Sequence, residues 1–186
     1  PRMLSGRALH ERCRSRRVAE GGDGGSFGLQ PQAVEFVVVT EASILERLRK
    51  GLVLGRYNAP AAVVVCGNVR RALPAPVREF WVQDCSAAAE NLLLASAGMG
   101  LGSVWIGIYP VVPFVRWVTK VLGLPRHIVP LGLVWIGHPA EIKQARTQYD
   151  PRRVHWQGYA ETADADELAP DDQAPEAADS HEGVTQ

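Results

Sequence analysis

DCSAAAENLLLASAGMGLGSVWIGIY, residues 84–109, decides how the rest of the chain is read. Trp81, Cys85, Ala88, Leu92 and Ala95 recur at spacings of three and four, which is one apolar stripe of a helix. The opposite side is apolar as well, filled by Ala87, Ala89, Leu93 and Leu94. A helix apolar nearly all round belongs in the middle of something, and its alanines let another helix come close. The pattern predicts a helix from about Val77 to Ala97, stopped by Gly98 at the C′ position. The series Gly98-x-Gly100-x-Gly102-x-x-Trp105-x-Gly107 follows and runs into an apolar stretch, where the chemistry is expected. A dinucleotide phosphate loop needs a strand before its glycines and a helix after them. Here the order is reversed, which leaves two readings: a tight helix-to-strand connection, or close approach of backbone to a flat ligand.

Outward from this stretch, 186 residues make one domain by the usual prior, large enough for a real core. An apolar fraction of 46% with 22% charged residues is that of a globular protein. The formal net charge is zero but unevenly placed. Residues 160–186 hold nine acidic residues and no Lys or Arg, which leaves 20 basic against 11 acidic residues in the rest. A basic body suggests nucleic acid, but its charges are scattered without interleaved aromatics or a binding motif, so no nucleic-acid partner is expected. Cys13, Cys66 and Cys85 form no CxxC pair. The apolar settings of Cys66 and Cys85 predict small buried side chains and a reducing, cytoplasmic location. No signal peptide is visible. The longest apolar run, Leu101–Val115, contains two prolines and is too short to span a bilayer.

In chain order, residues 1–32 carry six arginines and little apolar periodicity, which predicts a disordered basic arm. Val34–Thr40 reads as a strand. Glu41–Lys50 reads as a short amphipathic helix ended by Gly51. Ala61–Gly67, without alternation, predicts a strand buried on both faces. Ser103–Tyr109 is a strand or extended segment, and Pro113–Leu122 a short helix ended by Gly123. Val129–Gly137 is a further strand, and Lys143–Trp156 an Arg-rich extended arm before a disordered acidic tail. Long helices among few strands fit an α+β layered domain better than a βαβ repeat.

No GxSxG, Walker or HExxH sequence occurs, and histidines 10, 127, 138, 155 and 181 have no ligand spacing. No metal site and no side-chain nucleophile are therefore expected. Lys143 and Arg146 follow the last strand and are either solvated charge or a phosphate clamp, since arginine offers a planar fork to an anion.

From Phe36 to Trp156 the chain resembles the nitroreductase family of FMN-dependent oxidoreductases. The resemblance is carried by EFVVVT at 35–40, NAPAAVVVCGN at 58–68 and FWVQDCSAAAENLLLASAGMGLGSVWIGIYP at 80–110. LGLPRHIVPLGLVWIGHPAE at 122–141 and RTQYDPRRVHW at 146–156 complete it, in the family's order. It implies an α+β fold with a central mixed or antiparallel sheet flanked by helices, working as an intertwined homodimer with FMN at the subunit interface. It places residues 33–159 in the FMN-binding domain, between the atypical segment 1–32 and the acidic tail 160–186. Trp105, Ile106 and Gly107 would lie along the flavin ring, Arg146 and Lys143 would hold the FMN phosphate, and the alanine-rich helix would sit at the dimer core. Hydride would pass from NAD(P)H to flavin and on to nitro compounds, quinones or similar acceptors. The cofactor carries that chemistry, so no catalytic side chain is required.

The N-terminus departs from the family, which opens with an RRSxR segment, a helix and a P-S-x-x-N-x-Q-P-W stretch that contribute flavin contacts. Here Gln32-Ala33-Val34-Glu35 stands where Q-P-W-E is expected, and Arg14–Arg17 is only a faint echo of the first. With permitted wobble bases, residues 16–31 can be encoded so that the frame one base later reads AELLRAGMAAPSAFNH. That is an amphipathic helix followed by the P-S-x-x-N pattern. The expectation is that residues 1–32 are an out-of-frame translation and that part of the cofactor site is missing. Two alternatives follow: a non-catalytic or degenerate flavin-binding homologue with an impaired FMN site, and a basic-bodied interaction protein without cofactor.

Overall fold

β-Branched residues make the first strand, β1 (Val34–Val39), and the unbroken apolar run makes β2 (Ala61–Asn68), every residue of which is buried. The computed structural model describes residues 33–52, 55–141 and 149–159. The chain divides into two units, Pro1–Ile142 and Lys143–Gln186. In the first, helices α1 (Ala42–Gly51), α2 (Phe80–Gly98) and α3 (Val112–Leu122) accompany β1, β2, β3 (Gly102–Gly107) and β4 (Ile128–Gly137). The strands form one antiparallel sheet in the order β1-β2-β4-β3, so β3 is an edge. Of the mixed or antiparallel sheet expected, the antiparallel form is the one present.

Alternation along the strands divides the core between the two faces. Val63 and Val65 of β2, with Val134 and Ile136 of β4, meet Trp81, Cys85, Ala88, Ala89 and Leu92 of α2. Ala62, Val64 and Cys66, with Leu133 and Trp135, meet Leu45 and Leu48 of α1 and Val118 and Val121 of α3. Pro130 lies within β4, where it donates no ladder hydrogen bond. The register shifts there: Val65 pairs with Gly132 and Cys66 with Pro130, which leaves Leu131 as the bulged residue. Its carbonyl accepts from both Ile108 N and Tyr109 N, each at 2.9 Å, and so fixes how the chain leaves β3.

Three helix boundaries differ from expectation. Helix α2 begins at Phe80, not Val77, because residues 74–80 are spent on i→i+3 turns after Pro74 and Pro76 (Val77 N to Pro74 O, 3.2 Å; Phe80 N to Val77 O, 3.1 Å). It passes through Gly98 and ends at Met99. The C′ residue is Gly100, with φ +69°, and Leu101 N bonds Ser96 O at 2.9 Å while Gly100 N bonds Ala97 O at 2.9 Å. That is a Schellman motif, in which the left-handed position falls two residues later than the first glycine. Gly51 closes α1 from inside the helix; a Cβ there would fall within the Trp117 indole ring, so packing and not capping requires glycine. Gly123 caps α3 as expected, at φ +66°. In the second unit the expected extended arm contains one 3₁₀ turn, Pro151–Arg153, whose Arg152 N bonds the Asp150 carboxylate at 3.1 Å. The basic arm 1–32 and the acidic tail 160–186 lie outside the described residues.

Candidate cofactor site

The glycine turn after α2 delivers the chain into β3, and β3 places Trp105, Ile106 and Gly107 on the outer strand of the sheet. On its inner side β3 pairs with β4 (Trp105 opposite Val134, Ile106 opposite Leu133, Gly107 opposite Gly132). Its outer side meets no strand among the described residues. The period of two sends the Trp105 side chain to the α2 face and Ile106 to the α1/α3 face. The two side chains therefore cannot border one surface of a flat ligand together; what the three residues share is the outer backbone edge.

Each side chain is seated on a glycine. Gly132 lies beneath the Trp105 indole, and an added Cβ would overlap Nε1. Gly55, at φ +83°, lies against Ile106, and a Cβ there would overlap Ile106 Cδ1. Gly107 is different: it is exposed, and among the described residues nothing comes within 4 Å of the Cβ it lacks. A strand glycine weakens its strand and usually marks a bulge, a bend or a close approach. At Gly107 no neighbour among the described residues accounts for it. Trp105 Nε1 is the other unexplained group, a buried donor with no hydrogen-bond partner. Such a donor costs roughly 1–3 kcal/mol when left unpaired.

Lys143 and Arg146, the expected phosphate ligands, lie outside the described residues. Gly132 and Gly55 were not anticipated; the signal available was an interior glycine in the strand pattern LGLVWIG, which flags a close approach. The nearby thiols are not nucleophiles. Burial, and then Glu35, push Cys66 up to about 12; burial, then Cys66 and Asp84, push Cys85 to about 12. Both stay protonated at neutral pH. Among the described residues no three His, Cys, Asp or Glu side chains gather to hold a metal ion. No helix among them is long and apolar enough to cross a membrane.

With this geometry in place, residues 29–138 match the sequence profile of the nitroreductase family. The chain belongs to that family. A Methanothermobacter thermautotrophicus protein provisionally named NADH dehydrogenase/NAD(P)H nitroreductase is 36% identical over 133 residues, covering 67% of this chain and 68% of its own length. A crystal structure of a Parabacteroides distasonis protein with the same provisional name superposes with a TM-score of 0.71 at 30% identity, over 85% of this chain and 89% of that one. The NADPH:FMN oxidoreductase of Vibrio harveyi, solved with NAD+, superposes with a TM-score of 0.69 at 25% identity, over 80% of this chain and 69% of that one.

The nitroreductase-like α+β fold is thus the fold of this chain. FMN, the cofactor the family implies, suits the residues present on one count: the space at Gly107 admits a close planar ligand at the outer edge of β3, whereas the Trp105 indole nitrogen is turned inward over Gly132.

Proposed function

We propose that this nitroreductase is an FMN-dependent oxidoreductase that moves a hydride from NAD(P)H through flavin to nitroaromatic, quinone or similar acceptors, acting as a homodimer in the cytoplasm. The observation that carries the proposal is Gly107, a glycine on the edge strand whose open surroundings no described residue explains. Family membership and the relatives' names support the same assignment. Residues 33–159 form the proposed functional domain. Trp105, Ile106 and Gly107 would border the flavin, with Gly107 allowing close approach and the neighbouring peptide groups offering hydrogen bonds. Lys143 and Arg146 would hold its phosphate. When bound, FMN supplies the capacity to accept a hydride and return electrons to an acceptor. The chain's own part is to bind, orient and shield it. The outer surface of α2 supports the dimer, because it leaves two large apolar side chains, Leu94 at 61% and Phe80 at 43%, exposed.

Titrating the protein with FMN, then following NAD(P)H oxidation with a nitroaromatic or quinone, tests the assignment. Absence of flavin binding in the frame-restored protein described next would overturn it. The N-terminal departure favours a second reading for the chain as written, an impaired FMN site. Hydrogen bonds to charged groups contribute about 1.5–3 kcal/mol each. Loss of two or three would cost roughly 3–9 kcal/mol, or about two to six decades of affinity. The chain as written is expected to purify with little flavin, and a version with residues 1–32 read one base later to purify yellow. A stoichiometric flavin content in the chain as written, or an intact reading frame in the gene with no compensating insertion or deletion, would sink the frame-shift explanation.

A further inference from the structure

Residues 55–60, which lead into β2, form a strap lying against the Ile106 side of β3 through Gly55. No main-chain hydrogen bond holds this strap among the described residues. Two side chains do so instead. Arg49, on α1, donates from Nε to Tyr57 O at 2.8 Å and from Nη2 to Ala59 O at 2.6 Å. Trp135, on β4, donates from Nε1 to Gly55 O at 2.9 Å. The Arg49 guanidinium lies 5.2 Å from the centroid of the Trp135 ring, so each side chain braces the other. Trp135 is buried and the Arg49 side chain is 19% exposed, whereas Arg56 and Tyr57 on the strap are exposed. The ion pair from Arg49 Nη1 to Glu46 is longer, at 3.5 Å, and keeps the guanidinium on the helix side.

We propose that Arg49 and Trp135 form a latch that holds the Gly55–Pro60 strap closed beside β3, so that freeing Arg49 opens the strap while the sheet stays folded. The planar fork is what makes this work. One guanidinium reaches two carbonyls two residues apart and still lies over an indole face; an ammonium is a point charge and does not reproduce that geometry. Because the strap has no ladder of its own, its opening belongs to the low-energy, local end of the chain's motions. It lies next to the candidate cofactor edge, but the latch stands on geometry alone, whether or not flavin binds.

The test is native-state trypsin digestion of the full chain, with scission of the Arg56–Tyr57 bond followed by mass spectrometry. Hydrogen exchange of the β2 and β4 amides is followed in parallel. Cleavage that requires local opening tracks the population of the open form when opening is fast. Arg49→Met removes two hydrogen bonds, each about 0.5–1.5 kcal/mol, so the Arg56–Tyr57 bond is expected to be cut about tenfold faster or more. Exchange in β2 and β4 should not change. Arg49→Lys keeps the charge and stem and is expected to fall between wild type and Arg49→Met. Unchanged cleavage in Arg49→Met overturns the latch. So does a rise matched by the same factor in β2 and β4, which would make Arg49 a general stabiliser. Wild-type cleavage in Arg49→Lys would show that the fork is not needed and would overturn the geometry proposed for it.

Discussion

On one side of the sheet, α1 and α3 bury Leu45, Leu48, Val118 and Val121 and turn Glu46, Arg47, Lys50, Arg116 and Lys120 to solvent. On the other, a single helix buries Trp81, Cys85, Ala88, Ala89 and Leu92, and its outer surface presents Phe80, Gln83, Ala87, Glu90, Leu94, Ala97 and Gly98. The first is finished within one chain: two amphipathic helices close it. The second is covered by a helix whose outer surface still exposes Phe80 and Leu94 beside Gln83 and Glu90, with nothing among the described residues within 4 Å of the Cβ that Gly98 lacks. Exposed Phe80 and Leu94 on that surface are what a packed second copy would cover.

The largest expected effects are common to both faces and set the baseline. Leu48→Ala and Leu92→Ala each empty a site with no exposure, and each should lower the unfolding free energy by about 2–5 kcal/mol in urea titrations. The comparison breaks if one is far milder than the other, since that face would then be loosely packed. Leu94→Asp separates the faces. At 61% exposure, this change should alter the stability of a lone chain by no more than about 0.5 kcal/mol. Within a dimer core, an unpaired carboxylate costs several kcal/mol, or at least about two decades in the dissociation constant. Sedimentation should show the variant as a monomer at concentrations where Lys120→Asp, on the finished face, still sediments like the parent. A parent that is itself monomeric at all concentrations would remove the contrast.

The indoles sharpen it further. Trp117, on the finished face, sits over Gly51 and donates to Arg47 O at 3.1 Å; Trp105, on the other, sits over Gly132 and donates to nothing. Trp117→Phe should therefore lose about 0.5–1.5 kcal/mol for its hydrogen bond beyond the area it gives up, whereas Trp105→Phe also relieves an unpaired donor and should cost less. Gly132→Ala should cost about 1–3 kcal/mol by overpacking against Trp105, and much less in a Trp105→Phe background. Additive penalties in that double variant would mean that Gly132 is required for some reason other than Trp105.

Much of this architecture was legible in advance, and the rest was hidden for definable reasons. Among the described residues of the first unit, pattern located the three helices and three of the four strands and left β3 as a strand or an extended segment, because apolar spacing is a property of each element alone. Helix ends were less legible: of Gly98 and Gly100 only the second takes the left-handed turn, and Gly51 is required by a tryptophan 66 positions further along the chain. The same limit applies at the site. Trp105, Ile106 and Gly107 stood out as a motif, and the period of two already implied that the first two point to opposite faces. By contrast, the seats at Gly55 and Gly132 and the Arg49 latch depend on contacts between elements, which spacing within one element does not encode. Lys143 and Arg146 rest on the family resemblance alone.

Asp84 gives the smallest effect and the finest comparison. It lies half-buried on α2, and burial raises its carboxyl above the ordinary Asp range. The folded chain thus holds that proton more tightly than the unfolded chain does, so the carboxylate costs stability above the folded pKa and costs nothing below about the unfolded one. Asp84→Asn should therefore stabilise the protein at neutral pH, with a gain that fades as the pH falls through the raised folded-state pKa and is gone once the pH is below the ordinary Asp value, read as melting temperature against pH. If a second copy covers α2, association strips more water from this carboxyl and its charged form becomes costlier. The neutral-pH gain from Asp84→Asn should then grow with protein concentration. A control on the finished face, Glu46→Gln, removes a charge that pairs among the described residues with Arg49 and Lys50 at 3.5 and 4.0 Å and should show no such growth. A gain for Asp84→Asn that stays the same at every concentration would place this carboxyl outside any interface, and would confine the unfinished part of α2 to the half of the helix around Leu94 and Gly98.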